Sequence, residues 1–344
     1  MTSVPATSPT PAPRLQVRRQ TASGRIAIVL FALVVIGLVA MPWWARTGTI
    51  RMILELCCYI AVAQMWNMLA GYAGLVSVGQ QAFMGAAGYA LFVLAQTFGI
   101  NPFIAIFLSL LVPAALAVPC YLLLHRLDGP YFAIGTWVVA EVFRLVASNM
   151  GWLNAGAGMS LSVMRDYSAF ERNVAMSLLC ALMILVTIGG SYWFLRSRYG
   201  LALIAMRDNP VAAESQGVNV KRLRFMIYVA AAVGCGLVGA VYFMAQLRIN
   251  PPSAFDPMWS NIAIFIVMVG GIASIEGVLI GALIYFLADR WFGEYGASYF
   301  VVLGLMTVLV ALYARSGIWG MISKRWDAPW FPIRRHLIIK KENP

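Results

Sequence analysis

Stretches of apolar residues alternate with short polar segments along most of this 344-residue chain. Residues 26–45, 103–124, 174–195 and 226–247 each run for about 20 residues, enough to cross the hydrocarbon core of a bilayer. Residues 52–71, 80–98, 131–148, 259–273, 277–291 and 298–314 are apolar but shorter, or interrupted by glycine. The pattern predicts an all-α, polytopic transmembrane helical bundle of about ten spans, some of them short or broken. One segment has two readings. Residues 274–277 either separate two short or re-entrant helices or lie inside a single span, and the second choice would reverse the side on which the chain ends.

Composition agrees with lipid as the main solvent. Hydrophobic residues make up 61% of the chain and charged residues 11%, against about 25% charged in a soluble domain. The net charge of +12 would suit nucleic acid if it were spread along one surface. Instead, the cations cluster at span edges: Arg14, Arg18, Arg19 and Arg25, then Arg196 to Arg224, then Arg315 to Lys341. Cytoplasmic ends of membrane spans carry such excesses, with a secondary attraction to anionic lipid headgroups. Ten spans with both termini cytoplasmic place 18 of the 25 Lys and Arg on the inner side. Residues 1–25, rich in Pro, Ser and Thr, read as a disordered cytoplasmic tail. Residues 26–314 read as the membrane domain, and 315–344 as a basic cytoplasmic tail. The five cysteines lie in apolar runs without metal spacing and read as small core residues.

One polar segment stands out between apolar ones. Asn209 is a good helix N-cap, Pro210 suits the first helical position, and Gly217 can take the positive φ of a C-terminal stop. The helix so bounded has about two turns, too few to persist in water by itself. Cations surround it. The segment is either a well-capped loop or a helix that completes its packing against a partner.

Catalytic signatures are missing: the sequence has no P-loop, dinucleotide fingerprint, zinc spacing or nucleophile elbow. The chain therefore reads as a non-enzyme with no cofactor. Ionisable residues within spans are functional candidates. Glu55 lies one turn into its span and has an interfacial reading. Glu141 and Arg144 share a helical face and suit a structural ion pair. Glu276 reads equally as a cap on loop backbone or a substrate contact. Gln80 and Gln81, following Ser77 and Gly79, either satisfy the backbone of a broken helix or line a path. No span carries the set of carboxylates that an ion-driven carrier needs. The run from Gly74 through Ser77 to Gly85 is echoed by Gly271, Ser274 and Gly281. This suggests an internal pseudo-repeat of the kind that flanks transport pathways.

The stretch Trp66-Asn-Met-Leu-Ala-Gly-Tyr-Ala-Gly-Leu-Val-Ser-Val-Gly-Gln-Gln-Ala-Phe-Met-Gly-Ala-Ala-Gly-Tyr89 resembles the signature of LivM-type permeases of branched-chain amino acid ABC importers. Leu127-Asp-Gly-Pro-Tyr-Phe-Ala-Ile-Gly-Thr136, the segment from Arg196 to Phe225, and Gly270-Gly-Ile-Ala-Ser-Ile-Glu-Gly277 resemble that family's later blocks, in order. The chain departs from many members at Gln80 and Glu276, which leaves the cargo open to other amino acids, urea or short amides. The resemblance implies a second homologous permease, two cytoplasmic ATPases, an external solute-binding protein and a place in the bacterial inner membrane. It also implies that Asn209, Pro210, Ala213, Glu214 and Gly217 form the contact with an ATPase. Ser77, Gly79, Gln80, Gln81, Ser274 and Glu276 would then lie along the substrate path. A stand-alone secondary carrier is the rival from another class, and a non-transporting scaffold a more distant one.

Overall fold

A computed structural model describes residues 14–18, 22–314, 316–325 and 336–340. Of the tails expected at 1–25 and 315–344, residues 14–18, 22–25, 316–325 and 336–340 are among them. Helices α1 (Ala22–Ala40) and α2 (Thr47–Asn67) are followed by α3 (Gln80–Phe92), α4 (Pro102–Ser109), α5 (Leu111–Leu124) and α6 (Pro130–Asn149). Then come α7 (Ala169–Ile184), α8 (Gly190–Arg196), α9 (Arg198–Asp208), α10 (Pro210–Ser215) and the long α11 (Val220–Gln246). The chain continues through α12 (Pro251–Ala254), α13 (Met258–Gly270), α14 (Ile275–Phe292), α15 (Ala297–Tyr313) and α16 (Gly317–Arg325). Four short strands form two antiparallel pairs. Arg14–Arg18 (β1) meets His336–Lys340 (β4), and Met159–Ser160 (β2) meets Arg248–Ile249 (β3). The first pair brings the two ends of the chain together.

Among the described residues, seven helical stretches are long and apolar enough to cross a bilayer. An eighth is added if Ser298–Tyr313 and Gly317–Ser323, bent by 40° at their break, form one span. The ten crossings expected from the sequence are therefore not reached on length and composition. Two further segments, α3 with its π-helical extension (Val93–Thr97) and α14, do form helices. Gln80, Gln81 and Gln96 dilute the first, and Glu276, Asp289 and Arg290 the second. The single-span reading around Ser274 falls, because α13 and α14 are two helices packed against each other across the turn at 271–274.

Helix α3 sits at the centre, with α11, α6, α4 and α5 packed around it. The approach of α11 is close enough that its glycines matter. A Cβ added at Gly239 would fall 2.2 Å from the Met84 carbonyl oxygen. The α13–α14 hairpin is equally tight, since a Cβ at Gly281 would fall 2.0 Å from the Ile266 oxygen. Lipid tails provide no hydrophobic drive between apolar helices, so contacts of this kind supply the cohesion through packing.

Two ends of the bundle can be told apart. At the basic end, Arg224 pairs with Asp128 at 3.9 Å, and the Tyr121 hydroxyl donates to the Lys221 carbonyl at 3.2 Å. Helix α9 packs there on the π-helical turn Met68–Tyr72 that ends α2. At the opposite end, Asn173 Nδ2 donates to Thr47 Oγ1 at 3.0 Å, and β2 pairs with β3.

Gly239→Val should force α11 off α3 and lower stability by about 1–3 kcal/mol, the usual range for overpacking. Thermal unfolding of the purified chain in detergent measures this. Gly304→Ala, where an added Cβ meets nothing within 4 Å, should leave the midpoint unchanged.

Candidate functional site

The segment from Asn209 to Gly217 folds as its end signals specify. Asn209 Oδ1 accepts from the Ala212 N–H at 3.1 Å, and Pro210 opens the helix. At the other end, Gly217 has φ +83° and its N–H donates to Glu214 O at 2.9 Å, while the Val218 N–H donates to Ala213 O at 3.0 Å. These paired bonds are the Schellman stop, which places the residue after the glycine against the third residue from the helix end. Ala213 is accordingly turned inward and only 2% exposed. It anchors α10 to the bundle, so the contact role expected for it from the sequence does not fit. The free face carries Val211, 75% exposed, with Ala212 and Glu214 beside it.

Beside α9 lies the second polar group. Arg207, at the end of α9, and Glu276, in the first turn of α14, both lie in the neighbourhood of the buried Tyr72 hydroxyl. Glu276 is buried, at 5% exposure. Ser274 caps α14, its Oγ accepting from the Gly277 N–H at 3.2 Å. The turn before it is held by Asn67 on α2: Nδ2 donates to Ser274 O at 3.1 Å, and Oδ1 accepts from the Ala273 N–H at 2.8 Å. Ala273 has φ +58°, a left-handed conformation that costs a non-glycine residue free energy unless its surroundings hold it.

Gln80 and Gln81 are elsewhere. Residues 73–79 are not helical, and backbone groups in this break and at the first residue of α3 bond side chains of three neighbouring helices. Trp66 Nε1 donates to Ser77 O at 2.7 Å, the Val78 N–H to Thr136 Oγ1 at 3.0 Å, and the Gln80 N–H to Ser260 Oγ at 3.3 Å. Gly79 is obligatory, because a Cβ there would lie 2.2 Å from the Thr136 oxygen. Gln81 Nε2 closes back on Val78 O at 3.0 Å while its Oε1 accepts from Ser260 Oγ. Cys235 Sγ donates to Gln80 Oε1 at 3.2 Å. Both glutamines are fully buried. This geometry carries the backbone-satisfying reading for Gln81, whereas the Gln80 amide meets the Cys235 thiol and its Nε2 has no hydrogen-bond partner among the described residues.

Ser274 and Glu276 do not join this group. Ser260 and Gly270 stand ten residues apart on α13, about 15 Å by helix rise. The echo between the two glycine–serine runs does have a structural counterpart. Gly74 (φ +70°) and Gly271 (φ +139°) both start turns, and Ser77 and Ser274 both accept backbone N–H bonds at the helices that follow.

Glu141 and Arg144 form the expected pair, with Arg144 Nε 3.0 and 2.9 Å from the two carboxylate oxygens. Their side chains are 41% and 31% exposed, so the pair lies on the outer flank of α6 and not in the interior. Sequence reasoning missed Asn67, Thr136 and Ser260. Asn67 carried a signal, a polar residue deep in an apolar run. The other two carried none, because their partners lie 58 and about 180 residues away.

A bundle of apolar helices long enough to cross a bilayer, broken where internal polar groups hold the breaks, defines a multi-pass membrane protein. Comparison with known proteins gives its family. Residues 48–312 match the family described as the permease component of branched-chain amino acid transport systems, and the chain belongs to it. It is 23% identical over 320 residues to the high-affinity branched-chain amino acid transport system permease protein LivM of Salmonella typhimurium, covering 86% of this chain and 75% of that one. LivM of Escherichia coli is 22% identical over the same shares. The probable branched-chain amino acid transport permease protein LivH of Methanocaldococcus jannaschii is 24% identical over 265 residues, 70% of this chain and 82% of that one.

Asn67→Ala should release the turn at 271–274 and cost about 1–3 kcal/mol, the penalty for orphaning buried backbone groups. Thermal unfolding of the purified chain measures it, and Asn149→Ala, an exposed local bond to Leu145 O, should have no effect. Arg144→Ala should lower the amount of folded chain in membranes, because a lone carboxylate on a spanning helix is costly. The joint Glu141→Gln and Arg144→Met change should restore it on a quantitative immunoblot.

Proposed function

We propose that the chain is the membrane-spanning subunit of an ATP-driven importer in the bacterial inner membrane. Its cargo is an amino acid with an apolar side chain, delivered by an external solute-binding protein. A second homologous permease completes the pathway, and two cytoplasmic ATPases drive it through α10. The observation that carries this reading is α10 itself. It is a six-residue helix capped at both ends, anchored by Ala213 and presenting exposed Val211 among cations. A helix this short gains its stability from what it docks against. In this reading Asn209, Pro210 and Gly217 set its ends, and Val211, Ala212 and Glu214 meet the ATPase. It packs on α9, which in turn packs on the Met68–Tyr72 turn at the end of α2, and this supports a role in passing ATPase movement to the spans.

The basic end is then cytoplasmic, as the bias of Lys and Arg favours. The β1–β4 pairing supports both termini lying on that side. A stand-alone carrier is disfavoured, because Glu276 is the one buried carboxylate among the described residues and coupling ions need more. Urea or a short amide stays the second cargo reading, because the chain departs from many family members at Gln80 and Glu276.

Proteoliposomes holding the permeases and ATPases, supplied with binding protein, separate these readings. Labelled leucine should enter only with ATP on the ATPase side, and excess urea should not compete. Uptake driven by an ion gradient without ATP would sink the importer reading. Val211→Asp places a charge on the docking face, and Gly217→Val removes the residue suited to φ +83°. Each should reduce co-purification of the ATPases at least about tenfold while membrane levels of the permease stay at wild type, because a charge or shape error at a docking contact costs affinity. Wild-type association in both would reduce the segment to a loop.

A further inference from the structure

A cavity of about 900 Å3 opens at the end opposite α10. The starts of α2 and the ends of α11 and α14 form its walls. Six charged side chains line it: Arg46, Arg51, Glu55, Asp289, Arg290 and Glu294. Arg51 and Glu55 are one turn apart on α2, as Arg290 and Glu294 are on the α14 side, a spacing at which opposite charges ordinarily pair. None of the six forms an ion pair with a described residue; the two pairs found lie elsewhere.

The charges are also layered. Arg46, Arg51 and Arg290 are exposed at the rim, whereas Glu55 and Asp289 are half-buried. Glu55 is fixed from below, its Oε1 accepting from the Tyr59 hydroxyl at 3.0 Å. Tyr59 belongs to an aromatic floor, with its ring 5.1 Å from Tyr285 and 6.4 Å from Trp259; Tyr242 lies 4.7 Å from Trp259. Met52, Leu54 and Phe286 complete the walls with apolar surface. Trp259 is followed directly by Ser260, which holds Gln81.

We infer that this cleft is a reception site for a zwitterionic α-amino acid with an apolar side chain. The ammonium group points down to Glu55 and Asp289 above the aromatic floor, and the carboxylate points up to the rim arginines. A cation gains from facing aromatic rings as well as a carboxylate, and arginine matches the fork of a carboxylate. The apolar walls take the side chain, and the volume falls in the usual range of small-molecule sites. The inference rests on the amino-acid reading of the cargo and deepens it, assigning the site to a single permease chain at the end away from the ATPases.

The test uses the assembled transporter in lipid nanodiscs without binding protein, with radiolabelled leucine as probe. Leucinamide keeps only the cation and 4-methylpentanoate only the anion, so each should compete at least about tenfold more weakly than leucine. Glu55→Gln should weaken leucine binding about tenfold or more. Arg51→Gln, at an exposed position that tolerates change, should bring leucine and leucinamide to similar affinity, since the carboxylate has lost its partner. Unchanged leucine affinity in both variants overturns the site. So does the alternative outcome in which leucine affinity is unchanged but association with the binding protein falls, which makes the cleft a docking surface for that protein. ATP-driven leucine uptake by wild-type proteoliposomes, run in parallel, separates the two levels. Uptake without binding at the cleft removes this inference alone, whereas absence of uptake removes the amino-acid reading beneath it.

Discussion

A backbone N–H or C=O left bare in hydrocarbon costs several kcal/mol, so a chain that interrupts its spans must satisfy each interruption from within. That constraint organises this permease. The non-helical segment 73–79 and the first residue of α3 after it are held by Trp66, Thr136 and Ser260. The turn at 271–274 is held by Asn67. The locks come from three helices, so they tie α2, α6 and α13 to the start of α3, and α2 to the α13–α14 turn.

Helices α2 and α14 link what happens at the two ends. Helix α2 begins beside the charged cleft with Arg51 and Glu55 and ends beside Arg207 with Tyr72. Helix α14 runs the other way, from Glu276 to Asp289. Movement of α10 against an ATPase would therefore reach the cleft through continuous helices, with the Asn67 lock setting how α2 and the hairpin move together. The aromatic group of Tyr59, Tyr242, Trp259 and Tyr285 lies between the cleft and the Ser260–Gln81 contact. In this account it is the barrier between the outer cleft and the interior.

The helices were legible in the sequence because lipid imposes a simple code of length and apolarity. The ends of α10 were legible because Asn209, Pro210 and Gly217 are local signals, each acting within a few residues. Ala213 was misread for a related reason. The sequence showed two small residues, and only the paired bonds of the Schellman stop decide that Ala213 faces inward while Ala212 faces out. Gln80 and Gln81 were recognised as unusual, yet their two readings depended on Ser260 and Thr136, which no local pattern connects to them. The cleft was invisible for the same reason. Glu55 is interfacial by position, and its company of Asp289 and Arg290 is a product of packing helices more than 200 residues apart in the chain.

The central claim is that α10 is where the ATPase drives the permease. A cysteine placed at position 211, in a chain whose five native cysteines are replaced, tests it through a short bifunctional thiol cross-linker applied to the assembled transporter. The account predicts a cross-link to an ATPase subunit whose yield changes when ATP is bound. If the cysteine reacts freely with a small water-soluble thiol reagent yet cross-links to no ATPase in any nucleotide state, the claim is contradicted.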